Sequence, residues 1–145
     1  MISNLIDVYT DGATVGYNGK LGTVKEVGLG LYIPSEDYGD AKKVKGISNN
    51  EAEFKALIWG METCIEQGLT EVRFNMDSQI VVNRANGRRP KKAKHQNSRM
   101  DAFQDRVIGL TGAFKQVEFK HIPREQNEIA DHYSNLAKEQ ELEEV

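Results

Sequence analysis

Four acidic residues in this chain stand where strands and helices are expected to end or begin, and together their side chains could hold a metal. Asp11 follows a β-rich run over residues 5–10 and precedes Gly12, while Asp77 lies between a second short β-rich run and Ser78, which opens a helix. Glu53 holds the first position of a helical stripe shared with Leu57, Gly60 and Cys64, so it faces inward. Asp131 lies about two turns into the last helical stretch, beside Ile129 and Ala130. Each has an ordinary explanation: an Asp-Gly turn, a helix cap, a buried ion pair and a surface carboxylate, in that order along Asp11, Asp77, Glu53 and Asp131. As a set they supply hard oxygen ligands with no competing thiolates, the combination that suits Mg²⁺ or Mn²⁺. Carboxylates that converge on one point repel each other and resist ionisation unless cations sit among them.

The elements that must position these acids can be read from hydrophobic spacing and turn residues. Residues 5–10, with Ile6, Val8 and Thr10 on one side, predict a first strand that stops at the turn pair Asp11-Gly12. A second strand is expected over 28–33, ended by Pro34, and a third over 41–47. The spacing of Glu53, Ala56, Leu57, Gly60, Met61 and Cys64 predicts a helix over 50–67 closed by Gly68. A short strand over 71–75, a helix over 78–86 stopped by Gly87, a helix over 100–110, a strand over 114–119 and a helix over 125–139 complete the order. Three strands in antiparallel succession, then strands joined through helices, give an α/β (mixed α+β) architecture. Its sheet has five strands, three antiparallel and then two parallel, with helices on both faces.

Length and composition bound the function classes. The 145 residues, 39% hydrophobic, amount to one domain over 1–145, with an acidic tail over 139–145. The single cysteine excludes an internal disulfide and a multi-thiolate metal site, and it fits a reducing compartment. No basic leader and no apolar run near the ~18 residues of a membrane span is present, so a cytoplasmic protein without a membrane partner is expected. A net charge of −3 argues against a generic polyanion binder. Yet no acid lies between Asp77 and Asp101, a stretch that holds Arg84, Arg88, Arg89, Lys91, Lys92, Lys94 and Arg99. That block reads either as a footprint for a polyanion or as a solvated loop.

Four stretches, taken in order, resemble the type 1 ribonuclease H family: Tyr9-Thr10-Asp11-Gly12-Ala13, Ser48-Asn49-Asn50-Glu51-Ala52-Glu53, Met76-Asp77-Ser78-Gln79, and the run from His121 to Asp131. The resemblance spans nearly the whole chain and implies the ribonuclease H fold. It implies that Asp11, Glu53, Asp77 and Asp131 are the catalytic metal ligands, whereas Asp7 and Glu51 are decoys. It also implies two Mg²⁺ ions, with Mn²⁺ as a possible substitute, about 4 Å apart across the scissile phosphate, one activating water and one stabilising the departing 3′ oxygen. His121 matches a family histidine that moves protons or helps product leave. Gly12, Asn49, Asn50 and Gln79 match substrate contacts, and amides suit a minor groove lined with 2′-hydroxyls. Two departures stand out: a longer hairpin over 14–27 replaces a glycine-rich turn, and the segment from Asp77 to His121 is short. Within it, Arg88, Arg89, Lys91 and Lys92 offer a reduced grip on the DNA strand's phosphates.

The activity implied is endonucleolytic hydrolysis of the RNA strand of an RNA/DNA hybrid, leaving 5′-phosphate and 3′-hydroxyl ends. The expected partner is the hybrid alone, bound by a monomer with no small-molecule cofactor. Two other readings are a non-catalytic hybrid- or dsRNA-binding module, which has no use for four mutually repelling acids, and a superfamily nuclease acting on DNA junctions or dsRNA.

Overall fold

A computed structural model describes residues 4–17, 25–89 and 98–140. Its strands are β1 (Ile6–Tyr17), β2 (Lys25–Ile33), β3 (Tyr38–Lys45), β4 (Glu71–Met76) and β5 (Gln116–His121), and its helices are α1 (Asn49–Glu66), α2 (Gln79–Ala85), α3 (Ser98–Thr111) and α4 (Glu128–Leu136). The sheet order is β3-β2-β1-β4-β5. β1 pairs antiparallel with β2, and β2 with β3, whereas β4 runs parallel to both β1 and β5. This is the five-stranded mixed sheet expected, and α1 and α4 cover its opposite faces.

Alternation along β1 decides which residue meets which helix. Gly12 lies opposite Leu29 and faces α1, so close that a Cβ there would stand 2.3 Å from the backbone carbonyl of Ala52. Asp11 lies opposite Gly30 and faces α4, where a Cβ on Gly30 would stand 2.0 Å from the carbonyl oxygen of Ala130. Missing side chains thus let both helices press onto the sheet beside Asp11. Phe54, Leu57, Met61 and Cys64 of α1 join Val8, Leu31, Ile33 and Phe74 in the core, and Phe103 of α3 stacks on Phe54 with centroids 5.9 Å apart. Burial pushes the Cys64 thiol up to about 12, so it is an inert core side chain.

The structure corrects several boundaries. Asp11-Gly12 is no turn: β1 runs straight through it to Tyr17, because Gly12 serves helix contact rather than chain reversal. β2 begins at Lys25, and β3 spans Tyr38–Lys45 instead of 41–47. The reversal between them is a 3-10 turn at Pro34–Glu36 closed by Asp37 in the left-handed region, φ +49°. The final helix is broken: a 3-10 turn at Arg124–Gln126 precedes Asn127, α4 follows, and a second 3-10 turn at Ala137–Glu139 ends it. β5 spans Gln116–His121 instead of 114–119, while α1, β4, α2 and α3 lie within two residues of their expected bounds, with Gly68 and Gly87 closing α1 and α2 at positive φ.

Candidate active site

Parallel pairing of β1 with β4 brings two of the acids side by side. Tyr9 is in register with Asn75, so Asp11 and Asp77 stand two positions further along adjacent chains. Glu53 arrives from α1 where that helix crosses Gly12, whose backbone N–H donates to Glu53 Oε1 at 3.2 Å. One carboxylate oxygen from each of Asp11, Glu53 and Asp77 lies within 4.8 Å of the others. Asp131 stands beside Asp11 from α4, close enough to interact with its carboxyl, but outside that three-residue group.

The electrostatics of this cluster are uncompensated. Asp11 and Glu53 are buried, and among the described residues no Lys or Arg pairs with any of the four acids. Glu53 Oε2 is buried with no hydrogen-bond partner. Burial, then the charges of Asp11 and Asp77, push the Glu53 carboxyl well above its ordinary value. Burial likewise pushes Asp11 up to about 7; Asp77 and Asp131 add to the rise, while hydrogen bonds with Glu53 and Ser134 oppose it. An orphaned buried oxygen amid three converging carboxylates fits a divalent cation of the hard, oxygen-seeking class. That chemistry is a better account of the cluster than capping, turn formation or a buried ion pair.

Around the cluster, the other expected residues divide. His121 ends β5 opposite Met76 and is exposed one residue's register from Asp77. Asn49 opens α1, yet the cap is Ser48, whose hydroxyl accepts from the Glu51 N–H. Asn49 Oδ1 instead accepts from the N–H and hydroxyl of Thr14, at 3.0 and 3.1 Å, and so ties α1 to β1. Asn50 is half-buried next to it, and Gln79 is exposed at the start of α2, donating to Asn83.

Among the described residues, the arginines of the basic block have partners within the fold. Arg89 donates to Gln104 at 2.7 Å and Asp105 at 2.6 Å, Arg84 pairs with Asp101 at 2.6 Å, and Arg99 pairs with Glu51. Arg88 is exposed and donates to Asn83. Arg84 and Arg89 thereby tie α2 and the residues after it to α3, and Arg99 ties α3 to α1; Lys91, Lys92 and Lys94 lie outside the described residues. The two decoys are also accounted for. Asp7 pairs with Arg73 at 3.2 Å and accepts from Asn75, and Glu51 is enclosed by Arg99, Lys55 and the Ile47 N–H.

Two neutral residues of the site escaped the reading of the residues. Asn127 is buried and its Nδ2 donates to Asp77 Oδ2 at 3.1 Å, and Ser134 Oγ donates to Asp11 Oδ2 at 3.1 Å. They lie four residues before and three after Asp131, hence on its side of α4, and that spacing was the signal available.

Comparison with known proteins places these residues in context. The reverse transcriptase-like family matches residues 37–137. A bifunctional protein of Mycobacterium tuberculosis is 29% identical over 124 residues, covering 82% of this chain. The chain spans about a third, 33%, of the length of such curated relatives. Among solved structures, ribonuclease H1 from the halophilic archaeon Halobacterium salinarum superposes with a TM-score of 0.70 at 25% identity, covering 91% of this chain and 96% of that one. A second, LC11 ribonuclease H1 in complex with an RNA/DNA hybrid, gives a TM-score of 0.67 at 26% identity, covering 91% and 95%.

Proposed function

The chain belongs to the reverse transcriptase-like family and carries the ribonuclease H fold, and from that premise we propose that it is a divalent-metal-dependent ribonuclease that cuts the RNA strand of RNA/DNA hybrids. The observation that carries this reading is the cluster of Asp11, Glu53 and Asp77: the first two are buried and the third half-buried, Glu53 Oε2 has no hydrogen-bond partner, and among the described residues no Lys or Arg pairs with any of the three. A binding module gains nothing from such a cluster and would be more stable without it. The similar LC11 ribonuclease H1 is solved with an RNA/DNA hybrid, which supports the choice of substrate.

In this reading Asp11, Glu53 and Asp77 hold Mg²⁺, with Mn²⁺ as a substitute, and Asp131 completes the set beside Asp11. Two such ions, when bound, would lower the pKa of the attacking water and stabilise the departing 3′ oxygen. The chain's own residues do the positioning. The Gly12 N–H fixes Glu53 Oε1, leaving Oε2 for a ligand. Asn49 and Asn50, at the start of α1, and Gln79, at the start of α2, flank the acids with amides suited to 2′-hydroxyls. His121, exposed beside the end of β4, is placed to carry a proton at the edge of the cluster. No side chain acts as nucleophile.

The test is cleavage of a short labelled RNA/DNA hybrid beside matched dsRNA, dsDNA and single-stranded RNA, in Mg²⁺, Mn²⁺ and EDTA. Metal-dependent cutting of the hybrid's RNA strand alone, leaving 5′-phosphates, is the expected result. Binding without cutting in either metal would sink the enzymatic reading, and equal cutting of dsRNA would sink the hybrid specificity.

A further inference from the structure

The acids of the site are not left to orient themselves. α4 and the residue that leads into it supply two neutral donors that reach them, Asn127 on Asp77 and Ser134 on Asp11. Asn127 is 1% exposed, and its Nδ2 also donates to the Thr10 carbonyl at 3.0 Å, one residue before Asp11. An amide placed between two acceptors has a single allowed orientation, because turning it over would set oxygen against the oxygens of Asp77 and Thr10. Its own Oδ1 is buried without a partner among the described residues, so this geometry is kept at the cost of an unsatisfied acceptor. As the residue before Glu128, Asn127 would serve α4 as a cap, yet its side chain makes no cap hydrogen bond. The Ser134 hydroxyl is likewise 1% exposed and shares its hydrogen between the Asp131 carbonyl at 2.8 Å and Asp11 Oδ2 at 3.1 Å.

We propose that Asn127 and Ser134 are positioning residues, fixing which oxygens of Asp77 and Asp11 are turned toward the metal site. The inference rests on the ribonuclease reading above and adds to it the means by which α4 sets the ligand geometry. Neutral donors are the chemically required kind. A Lys or Arg would hold a carboxylate as firmly but would cancel the charge that binds a cation, as Arg99 does at Glu51. An amide and a hydroxyl each occupy one oxygen and leave the net charge of the cluster in place.

The experiment compares the wild-type chain with Asn127→Ala and Ser134→Ala by three readouts: Mn²⁺ and Mg²⁺ affinity by calorimetry without nucleic acid, kcat and KM on a hybrid, and thermal stability in EDTA. Loss of an orienting partner is expected to weaken metal binding about 10-fold or more for Asn127→Ala. A smaller loss of a few-fold is expected for Ser134→Ala, and in both kcat should fall while KM for the hybrid holds. If Asn127→Ala does not fold, Ser134→Ala decides alone. Lower stability with unchanged metal affinity and unchanged kcat would overturn the proposal, because it would make both residues plain packing struts. A wild-type chain that neither binds metal nor cuts would overturn the ribonuclease reading itself, a result readily told apart from variants that match an active wild type.

Discussion

Glu51 and Glu53 sit two residues apart on one helix, both buried, and are treated in opposite ways. Glu51 accepts from Arg99 and from the Ile47 N–H and lies near Lys55. Burial works against its charge, but the Arg99 contact and those neighbours outweigh burial and hold its carboxyl below the ordinary value. Glu53 faces β1, meets only the Gly12 N–H and other acids, and is pushed well above its ordinary value by burial first and Asp11 next. The chemical group is identical, so the difference lies wholly in the neighbours. The side of α1 that faces α3 spends its charge on holding helices together, and the side that faces β1 keeps its charge for a cation from outside the chain.

The largest test of that contrast is turnover. Asp77→Asn or Glu53→Gln should reduce hybrid cleavage to background in both Mg²⁺ and Mn²⁺, while hybrid binding persists or tightens as a charge facing phosphate is lost. Glu51→Gln should keep turnover wherever the protein remains folded. Cleavage assays beside a binding titration give both numbers, and surviving turnover in Asp77→Asn would remove Asp77 from the site.

Stability should split with opposite signs. In EDTA, Glu51→Gln is expected to destabilise by about 2 kcal/mol, because Arg99 and the Ile47 N–H lose a charged acceptor. Glu53→Gln should be neutral or stabilising by about 1 kcal/mol, since it removes a buried unpaired acid. Urea melts of the two variants read this directly. Shifts of the same sign would mean that the two glutamates are not the opposites their neighbours suggest.

Much of this contrast was legible in the sequence, and what was not has physical reasons. Glu53 could be separated from Glu51 by its place on the apolar stripe, and Asp11 and Asp77 by their places at the ends of β-rich runs, whereas Asp131, inside the last helix, was marked only by the family resemblance. Each of the five strands could be found because β-rich runs and turn residues bracket them. The Asp11-Gly12 pair misled, because Asp-Gly signals a turn and the need for a missing Cβ against Ala52 is a tertiary fact that spacing does not carry. The internal partners of the arginines were illegible for a similar reason: Asp101, Asp105 and Glu51 lie outside the basic block and meet it only through helix packing. Asn127 and Ser134 carry no charge, so nothing in their type marked them out.

pH sharpens the comparison from the Asp11 side. In the unfolded chain Asp11 titrates near 3.8, and in the metal-free fold near about 7. A carboxyl raised in the fold keeps its proton where the unfolded chain has lost it, so its contribution to stability is full below about 4 and vanishes as pH rises through about 7. Glu51, lowered in the fold, works in reverse and loses its contribution as pH falls. Chelated protein should therefore lose a few kcal/mol between mildly acidic and neutral pH, a loss that saturating Mg²⁺ removes. Melts across that window with and without EDTA measure it. Metal-free stability that rises toward neutral pH would show that Asp11 is already compensated.

The smallest expected effect tests whether the paired arginines touch substrate at all. Arg89 is held by Asp105 and Gln104 on a half-exposed surface, so Arg89→Ala should change stability by no more than about 1 kcal/mol. Its guanidinium is already engaged, so the variant should leave the salt dependence of KM for the hybrid almost unchanged. Replacing Arg88, Arg89, Lys91 and Lys92 together should weaken binding and flatten that dependence, because every phosphate no longer neutralised by the protein keeps its counterion and lowers the slope by roughly one. A slope that flattens as much in Arg89→Ala alone would show that this arginine leaves Asp105 for the nucleic acid when substrate arrives. The division between charges that hold the fold and charges that await a ligand would then be dynamic at this helix pair, and the same measurement on Arg84→Lys, whose partner Asp101 is half-buried, would show how far inward the exchange extends.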